Sequence, residues 1–421
     1  MNAKCVVLAA DSAATVGNKI YRTDKIFKLS RRQPIAIMSY GNADISGMPL
    51  ELLVNEYRSK LGDRTFSSIK ECVKDFIGFL ERGGADDFTK NPFITKDHID
   101  QRVRYIIRNL WDEITDGSFR KFVSRIYSES DSADKNIGEV FEGLKGDLER
   151  DFKKILKDAF GGVDPSEVSA MASKVRSVMD SSFIEQMDGI DSHFKFSDYL
   201  NEVTEIVASM IASGKLPDYT GIVIAGYGSD EYAPSYYEYA VYGLFYDGLK
   251  CSETNNVRID HNTPSWINTF AQDDVVQSYL YGIDEELRAK IAEDLREMLY
   301  LSTDEIIGLT GASDHTDHLK KLNDRLVEKY EGDLLDYTYI NYMNPIESAV
   351  EFLSKDEMTL MAESMINFMS LKKRISDEVE TVGGPVDVAV ISRNEGLVWI
   401  KRKHYFNMEL NPHYKRCRYV C

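Results

Sequence analysis

Strand-type sequence comes in three separated blocks, with helix-type sequence filling the gaps between them. The order is strands, helices, strands, helices, strands. Segregated runs of this kind define an α+β layered domain and exclude an alternating βαβ sheet. The expected core comprises residues 1–62, 218–283 and 362–421. Residues 63–217 and 284–361 are expected to be helical insertions.

The first block opens with Cys5-Val-Val-Leu-Ala-Ala10, a short apolar run typical of a strand covered on both faces. Lys19-Ile-Tyr-Arg and Lys25-Ile-Phe-Lys-Leu29 alternate as half-buried strands do, and Ile35-Ala-Ile-Met38 is another buried strand. Leu50, Leu53, Val54, Tyr57 and Leu61 then mark a helix closed by Gly62. Ile69, Val73, Phe76, Ile77 and Leu80 mark another, as do Val103, Ile106, Ile107, Leu110, Trp111 and Ile114. Further helices are expected near 138–159, 165–187 and 196–213. Strands return at Gly221-Ile-Val-Ile-Ala225, Ser235–Tyr242 and from Lys250 to Asp260. Helices follow from Asp284 to Arg325 and from Pro345 to Glu380. Val386–Ile391 and Leu397–Ile400 form a closing hairpin.

Charge narrows the function classes. The chain has 51 Lys+Arg against 69 Asp+Glu, a formal net charge of −18. Nucleic acid and anionic membrane surfaces are therefore not expected partners. No apolar run reaches the roughly 18 residues that a membrane-spanning helix needs. Five scattered cysteines (Cys5, Cys72, Cys251, Cys417 and Cys421) fit reduced thiols better than a disulfide framework. The first residues lack a basic-then-apolar signal pattern. The expectation is a cytoplasmic protein. Neither a dinucleotide fingerprint nor a P-loop is present, and Gly226-Tyr-Gly-Ser229 precedes a strand instead of a helix. No cofactor is expected.

Three residues of the first block can carry chemistry. Asp11 ends a buried strand, Lys25 lies on a later one, and Gly41 follows a third. If they converge at one sheet edge, the carboxylate can hold the ammonium. The ammonium then lowers the proton affinity of a nearby nucleophile. A glycine turn can offer its backbone N–H to an oxyanion. Read separately, they are a strand-ending Asp, a surface Lys and a turn Gly.

Four segments resemble the N-terminal-nucleophile hydrolases, in particular proteasome β subunits and their bacterial relative HslV. Val6-Val-Leu-Ala-Ala-Asp-Ser-Ala-Ala-Thr15 is similar to their opening strand, and Lys25-Ile-Phe-Lys-Leu29 to their lysine-bearing strand. Ile35-Ala-Ile-Met-Ser-Tyr-Gly-Asn-Ala-Asp44 is similar to their strand into a Gly–small–Ala-Asp turn. Gly383-Gly-Pro-Val-Asp-Val-Ala-Val-Ile391 is similar to their late Gly-Gly turn and strand. The resemblance covers the strands and not the helical insertions. It implies a four-layer αββα sandwich, a threonine-peptidase type of amide hydrolysis on peptide or protein substrates, and a homo-oligomer. It further implies that Asp11 holds Lys25, that Lys25 tunes the nucleophile and that the Gly41 N–H lines an oxyanion hole. The nucleophile itself is unknown. The alternative is a catalytically inactive scaffold or regulatory protein of the same fold, binding partners through its helical insertions.

The chain also departs from the pattern. Asp11 and Lys25 are two residues closer than in those relatives. Their supporting serines fall at Phe270-Ala-Gln-Asp273 and Val379-Glu-Thr-Val382, where Thr381 or Glu380 would have to substitute. No strand precedes Val6. The expectation is that a paired strand begins roughly six to eight residues further upstream with Thr, Ser or Cys, Asn2–Lys4 being the turn.

Other clusters are weaker. Asp314-His-Thr-Asp-His318 is either a helix start or a ligand cluster; no third His or Cys follows at ligand spacing, so no metal is assigned. Cys417 and Cys421 lack a second pair. Tyr236, Tyr237, Tyr239, Tyr242, Phe245 and Tyr246 read as a strand face packing on a helix, or as a peptide-binding wall. Lys401-Arg-Lys-His404, with Lys415 and Arg416, is either a solvated face or a dock for a neighbour's acidic helices.

Overall fold

A computed structural model describes residues 1–16, 19–85, 95–128, 164–189, 195–216, 218–270, 274–310, 316–375 and 384–404. The expected helix at 138–159 lies outside these residues. The fold is mixed α+β with antiparallel sheets.

Strands β1 (Val6–Ala10), β2 (Ala13–Val16), β3 (Lys19–Arg22), β4 (Ile26–Lys28), β5 (Ile35–Gly41), β6 (Asp44–Ile45) and β7 (Met48–Pro49) lead into α1 (Leu50–Leu61). Then come α2 (Ile69–Ala85), α3 (Lys96–Ser128), α4 (Pro165–Ser177), α5 (Ser181–Asp188) and α6 (Leu200–Ser213). Strands β8 (Thr220–Gly226), β9 (Ser235–Phe245) and β10 (Gly248–Arg258) follow. Next are α7 (Asp274–Tyr281), α8 (Glu285–Thr310), α9 (Thr316–Thr338), a π-turn over Tyr339–Met343, α10 (Asn344–Phe352) and α11 (Lys355–Ile375). Strands β11 (Asp387–Ser392) and β12 (Gly396–Lys401) close the described chain.

Two main sheets form. One has the order β10-β9-β8-β5-β4 and the other β1-β11-β12; the hairpins β2-β3 and β6-β7 are separate. The first and last blocks of the sequence thus meet, with Val6 opposite Ile391 and Ala10 opposite Asp387.

Period-2 alternation gives each sheet two apolar faces. Val6, Leu8 and Ala10 pack with Ile26, Ala36, Met38, Val223, Ala225, Ala389 and Ile391, so the two sheets share one core. On the other face of the larger sheet, Ile35, Ile37, Ile222 and Ile224 pack against Val54 and Tyr57 of α1 and Val73 and Phe76 of α2. Val7 and Val390, on the other face of the smaller sheet, pack with Val350 of α10 and Met358 of α11. Two stretches expected in insertions, α2 and the 344–361 segment, therefore cover the sheets. An amphipathic pattern reports that a face is buried and not which partner buries it.

A second apolar core joins α3, α4, α5 and α6 around Trp111, with Phe245 of β9 at its border. The helix expected over 165–187 is broken between Ser177 and Ser181. Asp180 caps the second piece, accepting from the Phe183 N–H at 2.8 Å.

Candidate active site

The smaller sheet places Asp11. β1 ends in small residues, and the Asp11 carboxylate turns the chain by accepting the Ala13 N–H at 3.1 Å. Its other oxygen lies 2.6 Å from Lys25 Nζ, with the side chains only 10% and 21% exposed. The larger sheet fixes Lys25, whose carbonyl accepts the Ser39 N–H at 2.8 Å.

Gly41 ends β5 two residues beyond Ser39. Its φ is +71°, and a Cβ there would stand 2.7 Å from the Tyr219 carbonyl oxygen, so the position requires glycine. The Asn42 N–H donates to Tyr219 O at 3.3 Å, across to the β8 side, and the Ser39 N–H donates to the β4 side. Strand alternation then directs the Gly41 N–H to the β4 side, where Lys25 lies. The structure thus brings Asp11, Lys25 and Gly41 to the lining of one cavity of about 430 Å³.

The cavity runs along the outer edge of β1. Among the described residues β1 is an edge strand, paired to β11 alone. The Asn2 N–H donates to Cys5 O on that outer edge, so alternation aims the N–H and C=O of Val7 and Ala9 into the cavity as well. Opposite lies the segment Trp266–Phe270. Met358, Met361, Met365 and Met369 of α11 form a third wall, spaced along one helix face. Tyr40 forms part of a fourth, stacked on Phe270 at 5.4 Å between ring centroids. Burial and the hydrogen bond to Glu238 push the Tyr40 phenol up, keeping it a neutral donor. Gly221 admits this ring, because a Cβ there would lie 2.1 Å from Tyr40 Cζ.

At the far end of the cavity a strand ladder begins. The Met1 nitrogen donates to Trp266 O at 2.5 Å, and the Trp266 N–H donates to Met1 O at 2.8 Å. Asn2 pins the turn. Its Nδ2 donates to Val350 O at 2.9 Å, and its Oδ1 accepts the Lys4 N–H at 3.0 Å. Burial pulls the Met1 amine from 8.0 down to about 6, so this position favours an uncharged N–H donor.

Next to Asp11 is a second ionic group that the sequence did not disclose. Lys403 Nζ bonds Asp387 at 2.9 Å, Asp24 at 2.9 Å and Thr23 O at 2.7 Å. Arg402 reaches Asp24 at 3.8 Å, and Lys401 pairs with Glu363. The basic segment 401–403 is thus engaged within the chain. A free solvated face does not describe these contacts, and Lys415 and Arg416 lie outside the described residues. No local spacing signals this fold-back, because it joins residues 24, 387 and 403, which are far apart in the chain.

The tyrosines of β9, and Tyr246 just past its end, divide among three cores. Tyr236 packs between the sheets, Tyr237 and Tyr239 against the α1–α2 core, and Tyr242 and Tyr246 against the helical core. Tyr236 Oη accepts from Trp266 Nε1 at 3.1 Å and so braces the wall facing β1. Phe270 lines the cavity. Residues 271–273 and 379–382, with Glu380 and Thr381, lie outside the described residues, as do Asp314, His315, Cys417 and Cys421. Among the described residues no cluster of three His, Cys, Asp or Glu could hold a metal ion, and no helix is long and apolar enough to cross a membrane.

No family model and no curated protein matches this chain.

Proposed function

We propose that the protein is an amide hydrolase of the N-terminal-nucleophile class, akin to proteasome β subunits, acting on peptide or protein substrates. In this reading the paired sheets and their flanking helices are an αββα sandwich. Asp11 holds Lys25, Lys25 tunes the nucleophile, and the Gly41 N–H receives the oxyanion. The convergence of these three residues on one cavity supports it.

The observation that carries the reading is the ladder begun at Met1 and Asn2. It is paired on one side to Cys5 and on the other to Ser265 and Trp266. Continued upstream in the same register, it runs between β1 and Trp266–Phe270. Successive positions then face Val7, Leu8, Ala9, Ala10 and Asp11. The next residue arrives beside Lys25 and the Gly41 N–H, where a nucleophile is required. Alternating side chains of such a strand would fill the methionine-lined and inter-sheet sides of the cavity.

The chemistry follows from these groups. The hydroxyl or thiol of the terminal residue attacks the amide carbon while its own α-amine takes the proton. The Gly41 N–H stabilises the oxyanion, and the proton passes to the leaving amine. Water then releases the acyl group by the same route. The Lys25 ammonium favours the deprotonated nucleophile.

The test compares residues 1–421 with the same frame extended upstream, assayed on fluorogenic peptide amides. Activity in the extended chain alone, lost on replacing its terminal Thr, Ser or Cys by Ala, is the expected result. Equal activity in both would place the nucleophile within 1–421 and overturn the reading. Activity in neither would favour the non-catalytic scaffold.

A further inference from the structure

Helices α8 and α9 form an antiparallel hairpin. The contacts between them are made from one side of α9. Asn323 donates to Leu299 O and Thr303 Oγ1, Lys320 pairs with Asp304, and Asp324 pairs with Arg296. A different side carries Leu322, Leu326, Tyr330 and Tyr337, continued by Ile340 in the π-turn, and these side chains are 42–60% exposed. Spacings of four, four and seven residues keep the α9 members on one stripe. With Ile340 it is ~27 Å long at 1.5 Å per residue. An exposed apolar stripe of this length, broken at Asp333, marks an interaction surface.

The charges beside the stripe identify what covers it. The N-terminal half of α9 carries Lys320, Lys321, Arg325 and Lys329 against Asp317, Asp324 and Glu328, an excess of one positive charge. From Tyr330 to Met343 there are only acidic charges, Glu331, Asp333 and Asp336. Lys321, Arg325, Lys329, Asp333 and Asp336 are exposed and have no ion-pair partner among the described residues. A helix that is basic in one half and acidic in the other is complementary to itself when antiparallel.

We propose that α9 packs on α9 of a second copy of this chain, antiparallel, about a two-fold axis near Glu331. Leu322 then meets the partner's Ile340, and Leu326 meets the partner's Tyr337. Asp333, the charge that interrupts the stripe, faces the partner's Lys329. Arg325 faces the partner's Asp336 along the same flank, because antiparallel helices pair like flanks. A two-fold contact makes each of these pairs twice. This proposal is independent of the hydrolase reading, and its test does not use activity.

Arg325 and Asp336 lie ~16 Å apart along one helix and cannot pair within a chain. A charge swap therefore isolates the contact between copies. Light scattering of the full chain should show a dimer at micromolar concentration. Leu326→Glu should give a monomer with an unchanged circular dichroism spectrum. Arg325→Glu or Asp336→Arg alone should weaken the dimer about tenfold, because each turns two attractions into repulsions. The double variant Arg325→Glu/Asp336→Arg should restore it. A wild-type monomer, a dimer indifferent to Leu326→Glu, or a double variant no tighter than the singles would overturn the proposal.

Discussion

Replacing Lys25 by methionine removes the cation from Asp11 while keeping the length and packing of the side-chain stem. At 2.6 Å the gross attraction is ~6 kcal/mol for an effective dielectric constant near 20. Desolvation of both groups offsets most of it. Exposed pairs contribute about 1 kcal/mol or less, whereas orphaning one member of a buried pair costs roughly 3–5 kcal/mol. With the two side chains 10% and 21% exposed, Lys25→Met should fall between these limits, at about 2–3 kcal/mol. Asp11 keeps the Ala13 N–H as a backbone donor. The double variant Asp11→Asn/Lys25→Met leaves no orphan charge and should cost about 1 kcal/mol less than Lys25→Met alone. Urea unfolding of the four chains gives the coupling directly, provided the slope with denaturant is unchanged. A Lys25→Met cost below about 0.5 kcal/mol with no coupling would show a solvated surface pair and refute the reasoning.

Gly41→Ala should cost roughly 2 kcal/mol or more, since it adds left-handed strain to a backbone clash, and thermal unfolding will report it. Stability should fall in alkaline solution. Burial pushes Cys251 from 9.0 up to about 11 and Cys72 up to about 12, and raises Tyr57 and Tyr40 in the same direction. Each group holds its proton more tightly folded than unfolded, so this stability is complete below pH 9.0 and declines as pH rises toward 11 and 12. Urea midpoints across that window check the sign; a rising midpoint would contradict it. Asp387→Asn should loosen the 401–404 segment by removing the carboxylate shared by the Lys403 side chain and backbone N–H. Faster hydrogen exchange confined to that segment is the expected signature, and unchanged exchange there would contradict it.

Strands with dense apolar runs were legible in the sequence. Val6–Ala10 alternates buried and half-buried positions, Ile35–Ser39 and Asp387–Ser392 are buried throughout, and the structure carries the expected Ile35–Met38 strand on to Gly41. The Asp11–Lys25 pair was legible only because a resemblance joined a residue just after β1 to one just before β4, on different sheets. Ala13–Val16 did not read as a strand, since it is only four residues long and opens with two alanines, and its pairing with Lys19–Arg22 supplies what the short segment lacks. The break before Ser181 was available in Asp180, an N-cap type inside an otherwise periodic run. The division between sheet-covering helices and the Trp111 core was not available, because both use the same amphipathic spacing. Nor was the Lys403 cluster, which joins residues 24, 387 and 403 only once the sheet has formed.

The measurement closest to the central claim is the site of covalent labelling. The upstream-extended chain would be treated with an electrophilic peptide, digested and mapped by tandem mass spectrometry, with Lys25→Met as control. The account predicts one adduct, on a terminal Thr, Ser or Cys roughly six to eight residues before Met1, strongly reduced in the control. An adduct within residues 1–421, or labelling that ignores Lys25, would contradict it.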